Sequence, residues 1–231
     1  MTLLQSEGLI SMLASVLKKE EADFSAEDFK LIKDIALSTV DFNRNFTAVF
    51  LEDLCHFPEL ESLSLSKVVI DDEGWEIICR CRHLRRLSLY ECDLENFNGI
   101  DCLRELERLE LIRTPVTDFK PLEKLPLRKL RLIGANLSDL RFIDKLAHLG
   151  SLRIISSHIG DRKLPVHLEH FHTLDLSGTD FDDYQRLTTA KILERLYLSE
   201  RQINKLKPLL LELRRQFPSL QIFDQYQTKQ A

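Results

Sequence analysis

Apolar residues recur at fixed offsets along the middle of the chain. Leu84, Leu87, Leu89, Cys92 and Leu94 set a frame that returns at Leu106, Leu109, Leu111, Thr114 and Val116. It returns at Leu127, Leu130, Leu132, Ala135 and Leu137, at Leu149, Leu152, Ile154, Ser157 and Ile159, and at Phe171, Leu174, Leu176, Thr179 and Phe181. The period is about 21–22 residues, within the range of stacked repeats. One unit of that length cannot bury its apolar face alone, so the units must stack into a solenoid with a continuous core. Between the second and third apolar positions the pattern alternates, which predicts a strand in every unit with its intervening side chains turned outward.

The flanks follow other periods. Leu9, Met12, Leu13, Val16 and Leu17 fall at helical steps and predict an amphipathic helix over residues 3–19 that closes the open end of the stack. Ser25, followed by Glu27 and Asp28, reads as the cap of a second helix. Ile32, Ile35, Leu37, Val40 and Phe42 fit the apolar frame, but Phe29, Ile32 and Ile35 also fit one helix face, so residues 32–42 are either a first repeat or part of the cap. The run Phe46–Leu54 has helical spacing, Leu60, Leu63, Leu65, Val68 and Ile70 form a repeat, and Trp75, Ile78 and Cys79 predict an α-helix before Leu84. Beyond Leu94 the outer segments change to steps of three: Leu94, Phe97, Ile100, Leu103; Val116, Phe119, Leu122, Leu125; Leu137, Leu140, Ile143, Leu146; Phe181, Tyr184, Leu187, Ala190. A step of three matches the 3₁₀-helix. Strands stack about 4.8 Å apart and packed α-helices about 8–10 Å apart, so thin 3₁₀ segments lessen the curvature. Gly160–Pro165 lacks any rhythm and predicts an irregular loop. Leu193, Leu196, Leu198 and Ile203 extend the array; a helix over Lys205–Phe217, a last strand near Leu220–Asp224 and a fraying tail follow. The expected architecture is an α/β repeat solenoid, a curved horseshoe with a parallel concave sheet and with α then 3₁₀ elements on its convex side. Its parts are a helical N-terminal cap (1–31), the array (32–204) and a C-terminal capping helix, strand and tail (205–231).

These residues resemble the leucine-rich repeat superfamily over roughly residues 32–224. Thr114-Pro-Val116-Thr-Asp118-Phe-Lys-Pro121-Leu122 and Leu137-Ser-Asp139-Leu are similar to the short repeats of internalin-like proteins and phosphatase regulators. The longer early units resemble the ribonuclease-inhibitor class, and Leu213–Asp224 resembles the C-terminal cap of intracellular members. That family mostly presents its concave sheet to protein partners, which is what the resemblance implies here. Its ninth position is usually Asn; here the column reads Val68, Cys92, Thr114, Ala135, Ser157, Thr179 and Arg201, so the asparagine ladder is missing.

Composition narrows the function. A net charge of −5 gives no overall attraction to nucleic acid or anionic membranes. Met1–Glu7 carries an acid where a secretory signal needs basic residues, and no apolar run approaches the roughly 20 residues that span a bilayer. Five cysteines, an odd number, suit a reducing compartment, so a cytoplasmic location is expected. Cys79-x-Cys81-x-His83 lacks a second pair at zinc-finger spacing, and His167, His170 and His172 straddle a loop-to-strand junction. Cys92 has no base placed beside it. Phosphate-loop, dinucleotide, zincin and serine-hydrolase motifs are all missing, and seven glycines leave little for a phosphate cradle. No catalysis, cofactor, metal or small-molecule substrate is expected.

The outward columns carry the candidate site. Before the second core position they read Ser62, Arg86, Arg108, Lys129, Ser151, Thr173 and Arg195; between the second and third, Ser64, Ser88, Glu110, Arg131, Arg153, Asp175 and Tyr197. After the third they read Ser66, Tyr90, Ile112, Ile133, Ile155, Ser177 and Ser199. Four consecutive units thus present a large apolar side chain, edged by Arg86, Arg108, Lys129, Arg131 and Arg153. β-Branched residues favour sheets without any function, yet an outward apolar strip rimmed by arginine is also how interfaces are built. The expectation is a protein partner with apolar anchors and acidic neighbours, held by these strip and stripe residues together with Glu110, Asp175 and Tyr197. Two rivals remain open: an RNA-associated scaffold, for which only Tyr90 and Tyr197 offer stacking surfaces in these columns, and a bacterial effector exported without a cleaved signal.

Overall fold

Each copy of the apolar frame becomes one turn of a coil in the computed structural model, which describes residues 4–39 and 50–224. Helices α1 (Glu7–Leu17) and α2 (Ala26–Lys30) precede β1 (Asp34–Ser38) and β2 (Ser62–Ser66). Helix α3 (Asp72–Arg80) leads into β3 (Arg86–Tyr90), β4 (Arg108–Ile112) and β5 (Lys129–Ile133). The short β6 (Asn136–Leu137) is followed by β7 (Ser151–Ile155), β8 (His158–Ile159), β9 (Thr173–Asp175) and β10 (Arg195–Tyr197); α4 (Glu200–Gln216) and β11 (Gln221–Phe223) come last. Nine of these strands form one open sheet in the order β1-β2-β3-β4-β5-β7-β9-β10-β11, and β6 pairs separately with β8. Every pairing is parallel, and the frame leucines lie in register: Leu63, Leu87, Leu109, Leu130, Leu152, Leu174 and Leu196 are successive partners. Each of those leucines is at most 1% exposed, so the column is the spine of the core.

The three-residue steps on the convex side become 3₁₀ helices at Ile100–Cys102, Lys120–Lys124, Arg141–Lys145 and Tyr184–Thr189. The run read as helical over Phe46–Leu54 is also 3₁₀ where it is described, at Leu51–His56; Phe46–Val49 lie outside the described residues. Behind the sheet Trp75, Phe97, Phe119 and Phe142 form a continuous aromatic file, with ring centroids 5.7, 6.2 and 5.5 Å apart. Phe142 is off the three-residue step, and the sequence pattern missed it.

The ambiguity at residues 32–42 resolves as a strand. Ile35 and Leu37 are buried in β1, while Val40 and Phe42 lie outside the described residues. In the ninth column several polar side chains do locally what an asparagine amide does. The Ser157 hydroxyl accepts from Ala135 N at 3.0 Å and donates to Ile155 O at 2.9 Å. The Thr179 hydroxyl donates to Leu176 O at 2.6 Å, and the Cys92 thiol to Leu65 O at 3.3 Å. Buried turn carbonyls therefore keep partners without the usual residue.

Both ends are tied down by polar side chains. The buried Asp53 carboxylate accepts the backbone N–H of Gln5 at 2.9 Å and of Ser6 at 2.7 Å, fixing the chain that enters α1. Ser25 caps α2 with a reciprocal Ser25–Asp28 box, as its position predicts. Val16 departs from the expected apolar face of α1: it is 61% exposed, while Leu9 and Leu13 are buried. At the other end α4 starts earlier than its apolar spacing indicates, because Ser199 and Gln202 form a second capping box. Ile203 and Arg201 thus belong to the helix rather than to another turn of the frame. The buried Gln202 amide also donates to Leu176 O and Thr179 O at 3.0 and 3.2 Å, binding α4 to the preceding coil. Gly160–Pro165 contains no helix or strand, in line with the predicted loop, and is pinned at its start where Gly160 N–H donates to Leu137 O in β6 at 2.7 Å.

Candidate binding surface

Parallel register sets the outward side chains in three rows across the sheet. The row nearest the strand ends runs Ser38, Ser66, Tyr90, Ile112, Ile133, Ile155. Tyr90 is 39% exposed and the three isoleucines are half-buried, so they form one contiguous strip over four strands. The middle row runs Ser64, Ser88, Glu110, Arg131, Arg153, Asp175, Tyr197, Phe223. The row at the strand starts runs Asp34, Ser62, Arg86, Arg108, Lys129, Ser151, Thr173, Arg195. All twelve candidate residues therefore stand on one face.

They are not equally accessible. Asp175 and Tyr197, read from the pattern as outward-lining residues, are only 5% and 8% exposed. Tyr197 is sandwiched: its ring stacks on Phe223 with centroids 4.8 Å apart, and the Arg153 guanidinium lies 5.2 Å over it. Asp175 sits in register between Arg153 and Tyr197 and accepts the Ser177 N–H at 3.2 Å. Burial beneath these large neighbours pushes its carboxyl above the usual value of 3.8. The alternation rule gives the direction of a side chain but not what a large neighbour lays over it.

The cations differ too. Arg86 pairs with Asp34 at 2.8 Å and Arg131 with Glu110 at 3.6 Å. Arg108 and Lys129 are exposed and have no ion pair among the described residues. Next to them a groove of about 590 Å³ follows the strand starts from β4 to β10. Its lining brings in Arg128, His148, Gly150, His172, Glu194 and Arg195, none of which is among the partner-binding candidates read from the sequence. Arg195 belongs to the row at the strand starts; Arg128, Gly150, His172 and Glu194 directly precede their strands, and His148 stands two residues before Gly150.

The cysteine and histidine candidates do not assemble into a centre. His83 contacts Glu105 and His167 contacts Glu169, each at 3.2 Å on the exposed surface. Among the described residues no three His, Cys, Asp or Glu side chains are placed to hold a metal ion. Burial pushes the Cys79 thiol up to about 12 and the Cys81 thiol up to about 11, and it also raises Cys92. No described helix is long and apolar enough to cross a membrane.

The architecture is that of known proteins. An internalin of Listeria monocytogenes superposes with a TM-score of 0.67 at 19% identity, over 84% of this chain and 56% of that one. Internalin C2 of the same species superposes at 0.59 and 17% identity, over 95% and 85% of the two chains. A leucine-rich repeat protein of Leptospira interrogans gives 0.51 and 18%, over 85% and 62%. No family model matches the sequence, and no curated protein does. The chain has the leucine-rich repeat fold: an open parallel sheet backed by helices and 3₁₀ turns, as in the internalins.

Proposed function

We propose that this chain is a non-catalytic interaction module that holds a protein partner on its concave face. The observation that carries the reading is the strip of Tyr90, Ile112, Ile133 and Ile155, four large apolar side chains in register with water still reaching them. A sheet built only for stability would gain by covering such a strip or making it polar. Arg86, Arg108, Lys129, Arg131 and Arg153 border it, so the partner brings apolar anchors with acidic neighbours. Glu110 orients Arg131, while Tyr197 holds Arg153 from beneath and the Asp175 carboxyl lies beside them in register. Helices α1 and α2 at one end, and α4 with β11 at the other, serve as caps of the array between them. The high thiol values argue against nucleophilic chemistry, and five cysteines without a disulfide favour a cytoplasmic site of action.

Affinity capture from native extract tests the reading. The strip variant Ile112→Ser/Ile133→Ser is compared with the convex control Lys120→Glu/Lys145→Glu. Half-buried isoleucines should cost roughly 1–2 kcal/mol of stability each, less than a core leucine. The strip variant, still folded by circular dichroism, should lose a partner that wild type and control both retain. Retention by all three proteins would move the interface off the concave strip.

A further inference from the structure

We infer that the groove at the strand starts is a receptor for an extended acidic segment of a protein, with carboxylates spaced about four residues apart. The inference rests on the concave-face reading and concerns a different part of that face from the isoleucine strip.

The groove exists because side chains are missing from its floor. Gly150 occupies the column that holds Arg128 on one side and His172 on the other, and Ser151 and Thr173 are the small residues of the next column. A Cβ at Gly150 would stand 3.2 Å from His172 Nδ1, so the imidazole already leans over the gap. The walls are strongly cationic. Six Arg or Lys side chains line the groove against Glu110 and Glu194, a local reversal on a chain of net charge −5. Three of the six are engaged: Arg128 with Glu107 at 3.8 Å, Arg131 with Glu110 at 3.6 Å, and Arg153 with the Tyr197 ring. Arg108, Lys129 and Arg195 are exposed, and none has an acidic partner among the described residues. Unpaired cations of this kind attract an anionic ligand and gain most from one that meets them at their own spacing.

That spacing selects the ligand. Arg108 and Lys129 are register partners on adjacent strands, and Arg195 lies three strands beyond Lys129. At about 4.8 Å per strand the second interval is about 14 Å, which an extended chain rising about 3.3 Å per residue covers in about four residues. A peptide laid across the strands therefore sets one or two carboxylates against Arg108 and Lys129 and another about four residues on against Arg195. Its small intervening residues pass over Gly150, Ser151 and Thr173. A nucleic acid fits less well: Glu110 and Glu194 would face its phosphates, and the lining holds no Phe, Tyr or Trp on which a base could stack.

The test uses the full chain and fluorescence anisotropy in about 50 mM salt, where charge contacts are strong. The probe is a labelled Gly/Ser peptide with an Asp pair and a further Asp pair about four residues on; the comparators are the same peptide with Asn for Asp and an oligouridylate of similar charge. The Asp peptide should bind saturably. Lys129→Glu and Arg195→Glu should each weaken it by at least about tenfold, and Gly150→Val, which fills the floor, should weaken it without changing charge. Moving the second Asp pair two residues closer should abolish the dependence on Arg195. Equal binding of the Asn peptide, or unchanged binding by both charge-reversed proteins, would overturn the inference. So would oligouridylate binding as tightly as the peptide with the same losses in the variants, which would assign the groove to nucleic acid. If the peptide fails while Ile112→Ser/Ile133→Ser still abolishes partner capture, the groove alone is refuted and the concave-face reading stands.

Discussion

The residue that follows each main-sheet strand from β2 to β7 meets the same backbone demand. Lys67, Glu91, Arg113, Gly134 and Ser156 have φ of 58°, 50°, 53°, 67° and 49°, and Gly178, three residues after the end of the shorter β9, has 72°. A side chain in this left-handed region costs about 1–2 kcal/mol, and glycine avoids the cost. Three of the non-glycine residues recover part of it by a ladder along the edge, in which Glu91 accepts from Arg113 at 2.7 Å and faces Lys67 at 3.8 Å. Gly178 has a second constraint, since a Cβ there would stand 3.2 Å from the Ser156 hydroxyl. Gly178→Ala should therefore destabilise the chain by about 1–2 kcal/mol, measured by urea unfolding; a variant as stable as wild type would show that this turn relaxes freely. None of this was legible in the apolar frame, because a frame of leucines constrains the strand and says nothing of φ one residue beyond it.

Elements were legible in proportion to how much local chemistry defines them. Strands β2 to β5, β7, β9 and β10 followed from alternation and the convex 3₁₀ segments beyond Leu94 from a step of three, whereas β1 stayed ambiguous and the short β6 and β8 carried no such signal. Ser25 was readable as a cap because Glu27 and Asp28 come next, whereas the start of α4 was placed too late because its apolar face begins after its capping box. The α2 box makes that element pH-sensitive. Hydrogen bonds from Lys19 first, and then from Ser25, hold the Asp28 carboxyl down to about 2, below its usual 3.8. A folded value below the unfolded one means that the stabilisation is present above about 3.8 and is lost as pH falls towards 2. Amide protection in Ala26–Lys30, taken relative to the unfolded chain at the same pH, should accordingly fall across that window in wild type and change far less in Asp28→Asn. Equal pH profiles for the two proteins would show that the box does not secure α2.

At the scale of the whole molecule, stacking turns a weak local preference into a surface. One isoleucine at the end of a strand is unremarkable; the parallel register of β4, β5 and β7 makes three of them a strip and sets their neighbours into rows. The sequence reading reached these rows because the repeat period supplies the register. It did not foresee that Tyr197, pressed between Arg153 and Phe223, would close one end of the face, nor that Gly150 would open a groove beside it. Both depend on side-chain size across strands, which no single repeat displays. The central claim is that the concave face is where a partner sits. Side-chain oxidative footprinting of the captured complex against the free chain tests it most directly. Tyr90, Ile112, Ile133 and Ile155 should be protected in the complex while exposed convex residues such as Val166 and Leu211 oxidise as before; unchanged oxidation of the four strip residues, with protection on the convex side, would contradict the account.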